Sequence, residues 1–207
     1  MEQRPKSGVA RASRGNHSPA RAAGSTARLV MALIAGGGML LRAASGSPIG
    51  EEEEYRVKLG FLYNFAQYIQ WPPEAFSSET APLTMCVAGP NPFEHGAEQS
   101  LQKRTVGTHP IVLKKLKADE DPRGCHVVFV RAGEKRTALS VLKALNGAET
   151  LTVGESPGFA DLGGIINLTI EENKLRFEIN LDVAVRNRLK VSSKLLSVAK
   201  IVKVVNR

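Results

Sequence analysis

The chain has 207 residues, 43% of them hydrophobic and 23% charged, the composition of a globular protein with one substantial core or two small ones. Its formal net charge of +8 suggests nucleic acid until the charge is located. Seven basic residues (Arg4, Lys6, Arg11, Arg14, Arg21, Arg28 and Arg42) stand against one acidic residue, Glu2, through Ser45; the rest carries 21 basic and 19 acidic residues, a net of +2, so no nucleic-acid partner is expected.

Residues 1–46 read as an export signal with a long basic n-region. Leu29 to Leu41 (LVMALIAGGGMLL) is an apolar run of the length of a signal h-region, shorter than the roughly 20 residues a membrane-spanning helix needs. Small residues follow in Ala43–Ser47, where cleavage after Ser45 or Gly46 fits. An uncleaved anchor is the competing reading, and the three glycines at 36–38 weaken it. Residues 47–207 are then expected to form a single exported domain.

Glu51 to Ile69 predicts a helix. Four glutamates crowd its first turn, where the dipole favours acids, and Tyr55, Leu59, Leu62, Ala66 and Ile69 recur at three- and four-residue steps. Trp71-Pro72-Pro73 stops it. Pro82–Val87 reads as a strand, Phe93–Leu101 as a helix, Ile111–Leu113 as a short strand and His126–Val130 as a strand buried on both faces. Glu134–Leu145 reads as a helix and Leu151–Val153 as another strand. This alternation predicts an α/β fold, a mostly parallel sheet flanked by helices.

An antiparallel hairpin is expected at about 165–181, from Ile165–Ile170 and Lys174–Leu181 joined by Glu171-Glu172-Asn173. In its second strand Leu175, Phe177 and Ile179 point one way and Arg176 and Glu178 the other. Arg176 and Glu178 are read as a structural pair on one strand face; no second titrating group is named for catalysis. Asp182 is expected to cap a short helix through Arg188. Ser192 or Ser193 is expected to cap a last helix, Lys194–Val204, with Leu195, Val198, Ala199 and Val202 inward.

Cys86 and Cys125 are the two cysteines, and an even count in an exported chain suggests a disulfide. Two buried free thiols, or a metal site drawing on His95, His109 or His126, are the alternatives; no pair has zinc-motif spacing. The loops after the parallel strands, Gly89-Pro90-Asn91-Pro92-Phe93, Arg131-Ala132-Gly133 and Glu155-Ser156-Pro157-Gly158-Phe159, are expected at one end of the sheet. They are the candidate contact surface for a protein or small ligand. Phe76, Phe93 and Phe159 are either anchors of such a contact or core residues. Neither a nucleotide fingerprint nor a serine elbow occurs, so no cofactor site, metal site or catalytic residue is assigned.

From about Tyr55 to Val202 the chain resembles the YfiR family. The resemblance rests on YRVKLGFLYNFAQYIQWP (Tyr55–Pro72), LTMCVAGPNPF (Leu83–Phe93), GCHVVFV (Gly124–Val130) and the block PGFADLGGIINLTIEENKLRFEINLDVAVRNRLKVSSKLL (Pro157–Leu196), in that order. It implies a periplasmic α/β protein without catalytic activity that represses an inner-membrane diguanylate cyclase by binding its periplasmic part. An outer-membrane-associated lipoprotein relieves that repression, and the readout is cyclic di-GMP and biofilm formation. Cys86 and Cys125 match cysteines often seen in such proteins, some of which carry a second pair that this chain lacks. A homodimer fits a protein of this type. A periplasmic small-ligand-binding module serving an uptake or sensory system is the alternative reading.

Overall fold

The computed structural model describes residues 50–202, apart from 94–95 and 118–119. The expected export signal, His95 and the last residues of the expected C-terminal helix lie outside the described residues. The elements in chain order are α1 (Glu51–Gln67), β1 (Ile69–Gln70), β2 (Leu83–Ala88), α2 (Ala97–Leu101), β3 (Thr105–Val106), β4 (His109–Leu116), β5 (Val127–Val130), α3 (Lys135–Ala144), β6 (Leu151–Gly154), β7 (Ile166–Glu171), β8 (Lys174–Asn180), α4 (Leu181–Arg186), β9 (Lys190–Val191), α5 (Ser193–Leu196) and β10 (Lys200–Val202).

Eight strands form one sheet in the order β10-β8-β7-β6-β5-β2-β4-β3. β4, β2, β5, β6 and β7 run parallel, as the alternation of strand and helix predicts. β7 and β8 form the predicted antiparallel hairpin. Its turn residues Glu172 and Asn173 have φ of 50° and 59°, the paired left-handed geometry that lets two residues reverse a strand.

β2 and β5 each feed two cores. Val127 and Phe129 of β5 join Tyr55, Leu59, Leu62 and Phe65 of α1 on one face. Val128 and Val130 join Cys86, Ala138, Val141 and Leu145 on the other, under α3. Leu101 of α2 lies with α1, so helices cover both faces. Burying a Leu, Val or Phe side chain stabilises by roughly 1.5–3 kcal/mol, which makes the apolar stripe of α1 its main anchor.

The C-terminal region departs from expectation in three ways. α4 begins one residue before Asp182, because the cap is the buried Asn180, whose Oδ1 accepts from the Val183 N–H at 3.1 Å. Ser192 does cap a helix, but α5 is a single turn. The segment expected to continue it forms β10, parallel to β8 with Ile201 opposite Ile179. The open edge of β8 supplies hydrogen-bond partners that outweigh the helical spacing, and Val198, expected inward, is 69% exposed. Two pairings were not expected. β1 pairs with β9, Ile69 opposite Val191, and the Ser192 N–H donates to the Tyr68 carbonyl at 2.9 Å. β3 pairs with β4, which runs from His109 to Leu116, well beyond the predicted Ile111–Leu113.

Candidate functional site

The register brings three of the loops together. Ala88 lies opposite Val130, and Val130 opposite Gly154, at the carboxyl ends of β2, β5 and β6. Gly89, Arg131 and Glu155 therefore leave the sheet side by side. The strand order reverses between β2 and β5, the position where open α/β sheets form crevices.

A charged cluster built on α1 occupies this end. Lys58 lies on the buried stripe of α1 between Tyr55 and Leu62, and its ammonium pairs with Glu155 and Glu54. Glu155 Oε1 accepts from the Tyr55 hydroxyl at 2.8 Å and from the Ala132 N–H at 2.9 Å. Arg131 Nε donates to the Tyr55 hydroxyl at 2.9 Å, and its guanidinium also pairs with Glu51. The side chains of Lys58 and Glu155 are 6% and 4% exposed. Burial pushes the Lys58 ammonium towards neutrality, but its hydrogen bonds to Glu155 and Glu54 outweigh this and raise its pKa. Burial, with the Glu155 carboxylate beside it, also raises the pKa of Tyr55, and the Tyr55 hydrogen bond raises that of Arg131. Each polar group is committed to another, so the cluster clasps the first half of α1 onto the ends of β5 and β6. The sequence marks Glu155 only as a loop residue and gives Lys58 no role; a lysine at a core-facing helical position is the signal that identifies it.

The loop residues themselves divide. Pro90 and Pro157 are exposed, and Asn91, Pro92, Arg131 and Gly158 partly so. Phe93 and Phe159 are not surface anchors: they are 4% and 0% exposed. Phe93 packs edgewise on Tyr55 and against Phe129, with its N–H donating to Asn91 Oδ1 at 3.1 Å. The Phe159 ring fills the space a Cβ would need at Gly154 and Gly164. Gly89 turns the chain with φ of 96°, and a Cβ there would crowd Glu134.

Arg176 and Glu178 do not pair. Glu178 lies opposite Asn167 and takes hydrogen bonds from Lys200 Nζ at 2.7 Å and Asn167 Nδ2 at 3.3 Å, while Arg176 is exposed. The Lys200 hydrogen bond holds the Glu178 carboxyl below its ordinary range. β10, where the sequence predicts a helix, supplies that lysine. The partner of Glu178 is thus a residue 22 positions away and not its neighbour on the strand.

Cys86 and Cys125 form a disulfide in the layer under α3, with Cα atoms 5.9 Å apart. His126 sits on the other side of the strand entry. Its Nδ1 accepts from the Thr84 N–H at 3.0 Å and its Nε2–H donates to the Ala75 carbonyl at 2.9 Å, which fixes the neutral tautomer. Phe76 is stacked between His126 and His109, at 4.3 and 3.6 Å. Among the described residues no three His, Cys, Asp or Glu gather as metal ligands.

A family model described as YfiR/HmsC-like matches residues 55–200, from the first turns of α1 to the start of β10.

Proposed function

We propose that this chain, which belongs to the YfiR/HmsC-like family, is an exported regulatory protein rather than an enzyme. It binds the periplasmic part of an inner-membrane diguanylate cyclase and holds the enzyme off, lowering cyclic di-GMP and biofilm signalling. The observation that carries this reading is the family match over 55–200, which takes in most of α1 and every element from β1 to α5. Two features support an exported location: the apolar run Leu29–Leu41 behind a basic segment, and a disulfide, which persists in oxidising compartments. Residues 1–46 act as the export signal and 47–207 as the single regulatory domain. The exposed Pro90 and Pro157 and the partly exposed Gly89, Asn91, Pro92, Arg131 and Gly158 offer a contact surface beside the Lys58–Glu155 cluster. An outer-membrane-associated lipoprotein is the natural counter-partner, and a homodimer fits this reading.

The test is cellular cyclic di-GMP in the native host. A deletion strain is compared with one carrying the exported chain and one carrying a copy without residues 1–45. A rise on deletion, reversed only by the exported copy, supports the reading; no change in any strain overturns it. A small-ligand-binding role has one observation in its favour, a cleft of about 520 Å³ beside α3.

A further inference from the structure

The turn between α3 and β6 carries the single Asn-Gly step of the chain, Asn146-Gly147, and both residues are exposed. It is a tight turn: the Ala148 N–H donates to the Leu145 carbonyl at 3.0 Å, and Gly147 holds a φ of 78° at the third position, where such a turn needs glycine. A Cβ at Gly147 would meet nothing within 4 Å, so glycine is there for its backbone angle and the turn lies open.

Asn187, at the end of α4, clamps this turn from below. It is buried, and its side chain bonds to the turn at three points. Oδ1 accepts from the Gly147 N–H at 3.1 Å, and Nδ2 donates to the Leu145 and Thr150 carbonyls, each at 3.4 Å. A buried amide with donor and acceptor both engaged is a fixed point. It anchors the one backbone nitrogen in the chain that follows an asparagine and carries no Cβ of its own residue to hinder attack.

An Asn-Gly step has a chemistry of its own. The Gly147 nitrogen gives its proton to hydroxide and attacks Cγ of Asn146. The Cγ–Nδ2 bond breaks, Nδ2 leaves as ammonia, and a five-membered imide remains. Water then opens the imide at either carbonyl, giving aspartate or an isoaspartyl link in which the main chain runs through the former side chain. The attack needs a free Gly147 nitrogen and a rotation of the Asn146–Gly147 peptide that brings this nitrogen against Cγ. The hydrogen bond to Asn187 keeps the proton on the nitrogen and the peptide in place. We propose that Asn146 is the principal site of spontaneous deamidation in this protein, and that Asn187 holds the reaction off in the folded state by retaining the Gly147 N–H. The isoaspartyl product adds a carbon to the backbone and a negative charge to the turn, so the fit of the turn on Asn187 is lost once the reaction has occurred. This goes beyond the regulatory reading and does not rest on it.

The experiment incubates the purified protein, expressed as the full chain, at mildly alkaline pH, with and without urea. Peptide mass spectrometry follows each asparagine, and enzymatic methylation counts isoaspartyl groups. In urea Asn146 is expected to convert faster than every other asparagine, including Asn173 in the exposed hairpin turn. In the native protein its rate should fall at least about tenfold, since only the opened turn reacts. N187S gives up the hold and is expected to raise the native rate about threefold or more, with the Asn173 rate unchanged as the sign that the variant is folded. N146Q should remove the product at this turn. The Gly147 amide, read by hydrogen exchange in the parent, is expected to be protected, and exchange as in a free peptide overturns the hold whatever N187S does. Equal native and urea rates at Asn146, conversion of Asn173 as fast as Asn146 in urea, or a folded N187S that converts no faster than the parent also overturns the proposal.

Discussion

Lys58 in α1 and Glu155 after β6 stand 97 residues apart in sequence and form one buried ion pair. The pair joins the first described helix to the carboxyl end of the sheet. Removing one partner leaves the other charge with only part of its compensation, Glu54 for Lys58 or the Tyr55 and Ala132 donors for Glu155, at a cost of up to about 3–5 kcal/mol. K58M and E155Q are each expected to lower the urea midpoint by an amount of that order. The double variant K58M/E155Q should lose clearly less than the sum, because neither charge is left alone. Additive losses in the double-mutant cycle would show that the two residues act independently.

His126 sets an acid limit on the fold. Burial, its first cause, holds the folded-state pKa below the ordinary 6.5. The unfolded chain therefore binds the proton first as pH drops. The stabilisation is fully present above 6.5 and is lost as pH falls through the folded-state value. Protonation also ends the acceptance of the Thr84 N–H by Nδ1. Thermal unfolding followed from neutral to mildly acidic pH should show a decline that H126F lacks, even though H126F starts less stable. A decline of the same size in both proteins would assign it to other groups.

Glu178 contributes in a different acid window. Its hydrogen bond from Lys200 depresses its pKa below the ordinary 4.5, so its contribution is present above 4.5 and lost as pH falls through the folded-state value. E178Q is expected to cost about 1 kcal/mol at neutral pH, and the difference from the parent should shrink as pH falls below 4.5. K200Q should remove the same pH dependence. R176Q should leave it in place, since Arg176 is not the partner, and an R176Q profile matching that of E178Q would restore the pairing within the strand.

Phe159 and Gly164 are matched in shape. G164A places a methyl group where the ring lies and is expected to cost at least about 1–3 kcal/mol, the range for overpacking. Adding F159L, which vacates part of that space, should recover some of the loss. If the double variant is no better than the sum of the single ones, backbone crowding rather than the ring sets the cost.

The Cys86–Cys125 bond closes a loop of 39 residues. In the chain-entropy account its loss removes roughly 3–4 kcal/mol. C86S/C125S is expected to unfold at correspondingly lower denaturant, with an unchanged amide spectrum in water. An unchanged midpoint would mean that the buried layer under α3, not the bond, holds these strands.

Much of the architecture is set by local sequence. The continuous apolar run at β5 suits a strand covered on both faces, and the two-residue alternation of Leu175, Phe177 and Ile179 a half-buried one. Tyr55, Leu59 and Leu62 fix the buried face of α1 at helical spacing. Those signals are contained within single segments, and with the apolar run at 29–41 and the ordered blocks of family resemblance they carry the fold class and the functional reading. Tertiary structure decided what depends on a distant partner. The helical spacing of Leu195, Val198, Ala199 and Val202 cannot reveal that β8 leaves an edge open, so β10 could not be told from a helix, and with it the real partner of Glu178 stayed hidden. Phe93 and Phe159 look alike as loop aromatics until Tyr55, Gly154 and Gly164 surround them. The clasp of Lys58 with Glu155 exists only once elements far apart in sequence lie side by side, because charge and burial are properties of the assembled surface rather than of any one segment.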